Sequence, residues 1–209
     1  MNSRRMYFLC GMLSPVVYVA MTLVGGAITS DYNHAYHAVS ELMERGAPHK
    51  DLMDAFLITS NVLNILFGFA VLNFTIHNSY RTKVGLTGAT GLLMLGLIGL
   101  LISIFFPMDP REGPLSFPGL MHLVLVGVLA ILSILTPLLF GLWMRTQTGL
   151  HRLAIYSLFS AGLICVTGVI AAVAAITTSP YMGLAERLTI AANLQWTFLF
   201  ALSLYRFNR

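Results

Sequence analysis

The side chains that could do chemistry in this sequence are histidines and carboxylates from three short stretches. The longest stretch is SDYNHAYHAVSELMERGAPHKD, which contains His34, His37 and Glu41. The second, FPMDPREGP, contains Asp109, and the third, GLMH, ends on His122. Imidazole and carboxylate groups are the ligands that zinc and similar divalent metals take in proteins.

Two kinds of chemistry fit these residues, and the sequence leaves both open. The metal candidates are His34, His37, Asp109 and His122, and a zinc ion among them would activate water to attack an ester or amide. Without a metal, a set of four catalytic candidates, His37, Glu41, Asp109 and His122, could supply an acid–base pair. Ser40 is then the candidate nucleophile, and the protein would be a membrane-embedded hydrolase.

The spacing in the longest stretch predicts a short amphipathic helix lying on the membrane surface. One face would carry Tyr32, Tyr36, Val39 and Met43, and the other would carry His34, His37, Glu41 and Arg45. Gly46 and Pro48 would end this helix. His37 and Glu41 would lie one turn apart, so their side chains could touch.

The elements that must position these residues are membrane-spanning helices. Hydrophobic residues make up 57% of the 209-residue chain and charged residues only 10%, against about 25% charged in a soluble domain. Long, nearly uncharged runs predict transmembrane helices and exclude the alternating pattern of a β-barrel. We predict an all-α bundle of six helices that forms a single transmembrane domain over 1–209, with spans at about 6–29, 54–76, 85–107, 119–144, 153–177 and 187–205.

The charges divide between the two sets of connections and predict an orientation. Eight basic residues fall in the termini and the second and fourth connections, whereas four fall in the first, third and fifth, together with every Asp and Glu. Basic loops stay in the cytoplasm. We therefore expect a multi-pass protein of the plasma (inner) membrane with both termini cytoplasmic and the histidine–carboxylate stretches outside.

Two other uses of the basic residues are set aside. Arg4 and Arg5 before the first apolar run resemble a signal peptide, but the run is long and no small-x-small site follows, so we expect a retained helix. The remaining basic residues lie at helix ends and form no patch with aromatic residues. This pattern argues against nucleic acid as a partner and leaves membrane lipids.

Polar and small residues inside the spans indicate how the helices meet. Asn61, Asn64, Asn193 and Gln195 either bond helices together or line a cavity that opens outward. The third helix carries Gly85, Gly88, Gly91, Gly96 and Gly99, which predict close approach of a neighbouring backbone. A cavity continuing inward would favour a small transporter or channel.

The stretch SELMERGAPHKDLMDAFLITSNVLNILFGF, from Ser40 to Phe69, resembles the bacterial and archaeal membrane family known as domain of unknown function 998. The F-P-x-D ending on Asp109 and the His-Leu at His122 fit the same family. The resemblance implies six membrane helices and no established activity. The Ser-Glu and Gly-Ala-Pro of the first loop are also similar to Frag1/DRAM-type membrane proteins, some of which are linked to lipid handling.

Three functions therefore remain open. The first is binding or modification of a lipid or amphiphile head group by the outer His, Asp and Glu residues. The second is a small transporter or channel, and the third is a non-catalytic membrane subunit.

Overall fold

The computed structural model describes residues 3–77, 81–111 and 113–207. These residues form six long helices, each long and apolar enough to cross a membrane, which confirms the predicted all-α membrane bundle. The helices are α1 Ser3–Ile28, α2 Lys50–Ile76, α3 Lys83–Phe105, α4 Phe117–Met144, α5 His151–Ile176 and α6 Met182–Phe207. Each begins earlier than the predicted span, because a helix continues past the hydrocarbon into the head-group region, where polar residues such as Lys50 and Asp51 are solvated.

The helices form a closed ring. Each packs against its neighbours in sequence, and α1 also packs against α6. One end of the ring carries the connections 29–49, 106–116 and 177–181. In sequence, every Asp and Glu falls within these connections or shortly after them. We call this end the acidic end. The opposite end, which we call the basic end, carries the connections between α2 and α3 and between α4 and α5.

The half of the ring towards the basic end is filled with aromatic side chains. Trp196 stacks on Phe200 with ring centroids 5.0 Å apart, and Phe200 lies 4.7 Å from Phe140. Phe67 completes the contact between α2 and α6. The Trp196 indole donates a hydrogen bond of 3.0 Å to Ser157 Oγ on α5. This cluster closes the interior at that end.

The opposite half is filled by part of the first connection. A short 3-10 helix, Val39–Met43, places Val39, Leu42 and Met43 against Met21 of α1 and Met53 of α2. Leu42 is 1% exposed and Met43 7% exposed, so this segment is core although it belongs to a loop. We call residues 39–43 the plug.

A polar layer lies between the two apolar clusters. Ser14 of α1 and Ser60 of α2 bond to each other across 3.2 Å, and Ser60 also donates to the Ser14 carbonyl. On α2, Asn64 lies between Leu57 of the plug cluster and Phe67 of the aromatic cluster. Asn193 occupies the corresponding place on α6, between Ile190 and Trp196.

The predicted surface helix is not formed, and Arg187 of α6 is the reason. In an α-helix, the His34 carbonyl would accept from the Ala38 N–H. Instead, Arg187 binds the carbonyls of His34 and His37, both at 2.8 Å, and the Ala38 N–H turns to Glu41 Oε1. The stretch folds as turns followed by the 3-10 helix, so the two predicted stripes do not exist.

Glycines let α2 and α3 approach closely, as the glycines of α3 predicted. A Cβ added at Gly96 would lie 2.8 Å from the Ile65 side chain and 3.0 Å from its backbone nitrogen. On the other side of this contact, a Cβ at Gly68 would lie 2.8 Å from Leu93 Cα. The two backbones therefore meet with no room for even a methyl group.

Gly68→Ala is expected to lower the free energy of unfolding in detergent by about 1–3 kcal/mol, because Leu93 contributes backbone that cannot rotate away. Gly162→Ala on α5 is the matched control, since a Cβ there meets nothing within 4 Å. Thermal unfolding of the two variants and the wild type checks this. Equal stability of the two variants would contradict the packing described for α2 and α3.

Candidate functional site: the acidic end

Arg187 fixes the first connection to α6. Its Nη1 donates to the carbonyls of His34, His37 and Gly183 at 2.8, 2.8 and 2.9 Å, and Nη2 donates to the Tyr32 hydroxyl. No carboxylate in the described part of the chain lies within ion-pair distance of this guanidinium. The carbonyl dipoles therefore carry the compensation that a charge near the end of a membrane helix requires.

Neighbouring residues of α6 strengthen the same contact. Glu186 Oε2 accepts from the Val39 N–H at 2.9 Å, which caps the plug, and the Leu184 N–H donates to the Ala35 carbonyl at 2.9 Å. A Cβ at Gly183 would lie 2.3 Å from the His37 carbonyl oxygen, so only glycine allows this approach. The start of α6 therefore binds the first connection mainly at the backbone groups of that connection.

The Tyr32 phenol and the His34 imidazole beside Arg187 have shifted pKa values. Burial raises the pKa of the Tyr32 phenol to about 12, although Arg187 acts in the opposite direction. Burial also lowers the pKa of His34, and the nearby Arg187 charge lowers it further. The Tyr32 hydroxyl donates a hydrogen bond of 2.7 Å to the Ala38 carbonyl. The Tyr32 hydroxyl therefore helps to hold the conformation of the first connection.

The connection between α3 and α4 is joined to the first connection through Arg45. The Arg45 N–H donates to the Met108 carbonyl at 2.9 Å. Its Nη2 lies 3.2 Å from Asp109 Oδ1 and donates to Ser116 Oγ at 3.1 Å. The two loops, residues 29–49 and 106–116, thus form one layer over the ring, which we call the lid.

Asp109 anchors this layer on the start of α4. It accepts from the Ser116 backbone N–H at 2.6 Å and from the Ser116 hydroxyl at 2.9 Å. These hydrogen bonds, above all the one from the backbone, hold the pKa of Asp109 below its usual value, and the Arg45 charge acts in the same direction. Asp109 is therefore a carboxylate with its lone pairs already engaged.

A second ion pair crosses the lid. Arg111 Nη2 lies 2.8 Å from Glu41 Oε1, and its guanidinium stacks over the Tyr36 ring at 4.5 Å. The acids are buried, at 10% exposure for Glu41 and 9% for Asp109, whereas the Arg111 and Arg45 side chains are 40% and 50% exposed. The lid thus presents two guanidiniums outward, each fixed from below by a buried carboxylate.

The contact between the side chains of His37 and Glu41 that a helix would allow does not form. His37 Nδ1 accepts from the Asn33 N–H at 2.9 Å and its ring stacks on Tyr32, whereas Glu41 binds Arg111. The reason is again the missing helix, which would have placed the two side chains one turn apart. Ser40 donates to Met108 Sδ at 3.0 Å, a contact that joins the loops and brings no base to its hydroxyl.

His122 lies close to Asp109, as the short connection predicted. Its Nδ1 is 2.9 Å from the Phe106 carbonyl oxygen, and the ring is 7% exposed. Because a carbonyl only accepts, Nδ1 carries the hydrogen, and the neutral ring keeps its lone pair on Nε2. Among the four catalytic candidates, His122 is therefore the one that retains a basic nitrogen without a hydrogen-bond partner in the described chain.

The four metal candidates do not meet. In the ranges 3–77, 81–111 and 113–207, no three His, Cys, Asp or Glu residues lie close enough to hold one ion. His34 and His37 are tied to the α6 side of the lid, whereas Asp109 and His122 belong to the α4 side. The described residues thus form two separate groups instead of the single site expected.

The interior amides divide into two pairs. Asn61 donates to Ser103 on α3 at 3.2 Å, and Gln195 bonds Tyr156 and Ser160 on α5. These two join helices. The side-chain oxygens of Asn64 and Asn193, both in the polar layer, are buried without a hydrogen-bond partner among the described residues.

Sequence reasoning missed the roles of Arg45, Arg111 and Arg187. The signal that could have found Arg187 is its position inside a predicted span, where a charge needs a partner. Arg45 and Arg111 each lie within four residues of an acid in sequence, but both pair across loops. Sequence spacing alone does not reveal such pairs.

Comparison with known proteins supports the predicted family. A family model described as Protein of unknown function (DUF998) matches residues 12–203, which is most of the chain and includes both loops of the lid. This match confirms the resemblance carried by the Ser40–Phe69 stretch. No curated protein and no solved structure matches the chain.

Glu44 generates a pH prediction. Its Oε2 is buried and has no hydrogen-bond partner in the part of the chain that the structure describes. Burial, followed by the Glu41 charge, raises the pKa of Glu44 above its usual 4.5. A carboxyl whose pKa is raised by folding binds its proton more tightly in the folded protein, so stability falls as the pH rises through that pKa. Glu44→Gln should therefore be more stable than the wild type at pH 7, with a gain that shrinks as the pH falls towards 4.5.

Unfolding measured between these pH values checks this, with Asp31→Asn as the control. Asp31 is an exposed carboxylate of the same loop, and Asn tolerates its backbone φ of 61°. A loss of stability in Glu44→Gln at pH 7 would show that the carboxylate is stabilised where it lies.

Proposed function

We propose a function for this chain, which belongs to the family DUF998. The description of that family names no activity, so the proposal is argued from the site. The acidic end binds the zwitterionic head group of a membrane lipid or similar amphiphile. The observation that carries this proposal is the pair of outward guanidiniums, Arg45 and Arg111, held on the lid by buried carboxylates.

The free donors of these two arginines suit phosphate oxygens. Both ion pairs use Nη2, and no described residue bonds Nη1 or Nε of Arg45 or Arg111. Guanidinium groups bind phosphate through paired N–H donors, and such charge-assisted bonds are about twice as strong as neutral ones. The lid also lies just beyond the helix ends, at the level of lipid head groups.

The surrounding charge selects among phosphate-bearing head groups. Asp31 and Asp51 are exposed at this end, and acids outnumber basic residues there by eight to four. A negative surface repels a ligand of net negative charge. A head group that joins a phosphate to an ammonium, as in phosphatidylethanolamine, is neutral overall and offers a cation to the neighbouring carboxylates.

His122 is the residue best suited to act on a bound head group. Its Nε2 lone pair can take a proton, and the Phe106 carbonyl holds the ring in the tautomer that a general base needs. Among the other catalytic candidates, Glu41 and Asp109 are engaged in ion pairs and His37 accepts from the backbone. Binding is therefore the first activity proposed, and acid–base catalysis at His122 is its extension.

We also propose that the acidic end faces away from the cytoplasm and that the protein lies in the plasma membrane. The excess of basic residues at the other end, eight against four, supports this orientation because short basic loops remain in the cytoplasm. The lid would then meet lipids of the outer leaflet.

A cysteine at Leu115 tests both proposals in a Cys10→Ser, Cys165→Ala background. Leu115 is 61% exposed and precedes Ser116, the partner of Arg45. A membrane-impermeant maleimide added to intact cells should label it. In purified protein, dihexanoyl phosphatidylethanolamine should slow labelling, and Arg45→Gln with Arg111→Gln should weaken that protection about tenfold, as expected for the loss of charge-assisted bonds.

Lys50→Gln is the matched control, because Lys50 is a cation of the same end already paired with Asp54. It should keep the protection. Equal protection by inorganic phosphate would contradict a lipid head group, and stronger protection by dihexanoyl phosphatidylglycerol would contradict the zwitterion. Release of head group or acyl chain that stops in His122→Gln would add catalysis to binding.

A small transporter is the second candidate, and the polar layer favours it. Asn64 and Asn193 present acceptor oxygens between the plug and the aromatic cluster, and no described residue bonds to them. Polar groups enclosed by apolar layers at two depths are what an occluded transport site requires, and unpaired amide oxygens in a membrane interior are costly unless they serve a ligand. Those oxygens would take a cation or an N–H donor.

Proteoliposomes loaded with labelled sodium or labelled ethanolamine test this second function. Efflux above that of empty liposomes, lost in Asn64→Leu with Asn193→Leu, is the expected result for a transporter. Asn73→Leu, the same change at an exposed position of α2, should leave efflux unchanged. Absence of efflux in the wild type would exclude both solutes as cargo and leave head-group binding.

A further inference from the structure

A groove at the basic end opens between α5 and α6. Its volume is about 530 Å³, within the usual range of roughly 300–1,000 Å³ for ligand sites. Arg152 near the start of α5 and Arg206 near the end of α6 stand at its rim. The groove is at the opposite end from the lid and shares no residue with it.

The two arginines are free to bind a ligand. Both side chains are exposed, and neither has a hydrogen bond or ion pair with a described residue. All Asp and Glu side chains fall near the connections of the other end in sequence, and no described carboxylate pairs with either arginine. Arg5, by contrast, is already stacked on Tyr205 at 4.5 Å.

The floor of the groove is mainly apolar, and the groove is shallow and open. Leu153 and Tyr156 of α5 face Leu199 and Ser203 of α6. The Tyr156 hydroxyl donates to Gln195, which fixes the ring against the floor. With about 1.5 Å of rise per residue, the distance along α6 from Arg206 to Leu199 takes the groove roughly 10 Å below its charged rim.

We propose that this groove binds an anionic phospholipid from the leaflet at the basic end. The phosphate would lie between Arg152 and Arg206, and the upper part of an acyl chain would cover Leu153 and Leu199. Basic pockets between helices, with apolar surface beneath them, bind anionic lipid head groups in membranes. A free phosphate would use the rim but leave the floor exposed, so the two layers together select an amphiphile.

Delipidated protein in an uncharged detergent provides the test. Added phosphatidylglycerol should raise the Tm on the order of 5 °C, as saturating ligands do, whereas phosphatidylcholine or inorganic phosphate should not. Arg152→Gln with Arg206→Gln should lose the shift. Ser203→Trp should also lose it, because the indole fills the floor without changing any charge.

Arg145→Gln is the matched control, because Arg145 is exposed at the same end and does not line the groove. It should keep the shift, as should Arg45→Gln with Arg111→Gln at the far end. A shift that survives in the Arg152 and Arg206 double variant, or that Arg145→Gln abolishes equally, would overturn the site. An equal shift with inorganic phosphate would overturn the choice of a lipid.

Discussion

A guanidinium placed within the first turns of α6 must find compensation near the membrane, and the arrangement of the acidic end follows from how Arg187 does so. No carboxylate in the described chain pairs with it, so it takes three backbone carbonyls, two of them from the first connection. Those two carbonyls of the first connection are then not available to accept the hydrogen bonds of an α-helix. The segment turns instead into the bundle, and the plug of Val39, Leu42 and Met43 closes the ring.

The plug changes what kind of interior the protein has. If only the aromatic cluster closed the bundle, its interior would be open at the acidic end. With the plug in place, the serines and asparagines of the polar layer lie between two apolar layers. Hydrogen bonds in such surroundings are strong when made and costly when missing. Ser14 and Ser60 are satisfied by each other, whereas the side-chain oxygens of Asn64 and Asn193 have no hydrogen-bond partner among the described residues.

The two ends of the molecule use arginine in opposite ways. At the acidic end, buried Asp109 and Glu41 fix Arg45 and Arg111 and reduce their net charge, so the surface combines donors with surplus acid. At the basic end, Arg152 and Arg206 form no ion pair with a described residue. Bilayer leaflets offer both neutral and anionic phosphate head groups, and the two proposed lipid sites differ in this pairing.

The sequence by itself determined the six helices, their apolar surfaces and the separation of acidic from basic ends. These properties depend on hydrophobic length and on the refusal of hydrocarbon to hold unpaired charge, both of which act locally along the chain. It also placed His122 near Asp109, because one short connection leaves little freedom. Only the tertiary structure decided the conformation of the first connection and the pairing of Glu41 with Arg111. The decisive contact there joins His37 to Arg187 across 150 residues, and such a contact overrides the local periodicity that predicted a surface helix.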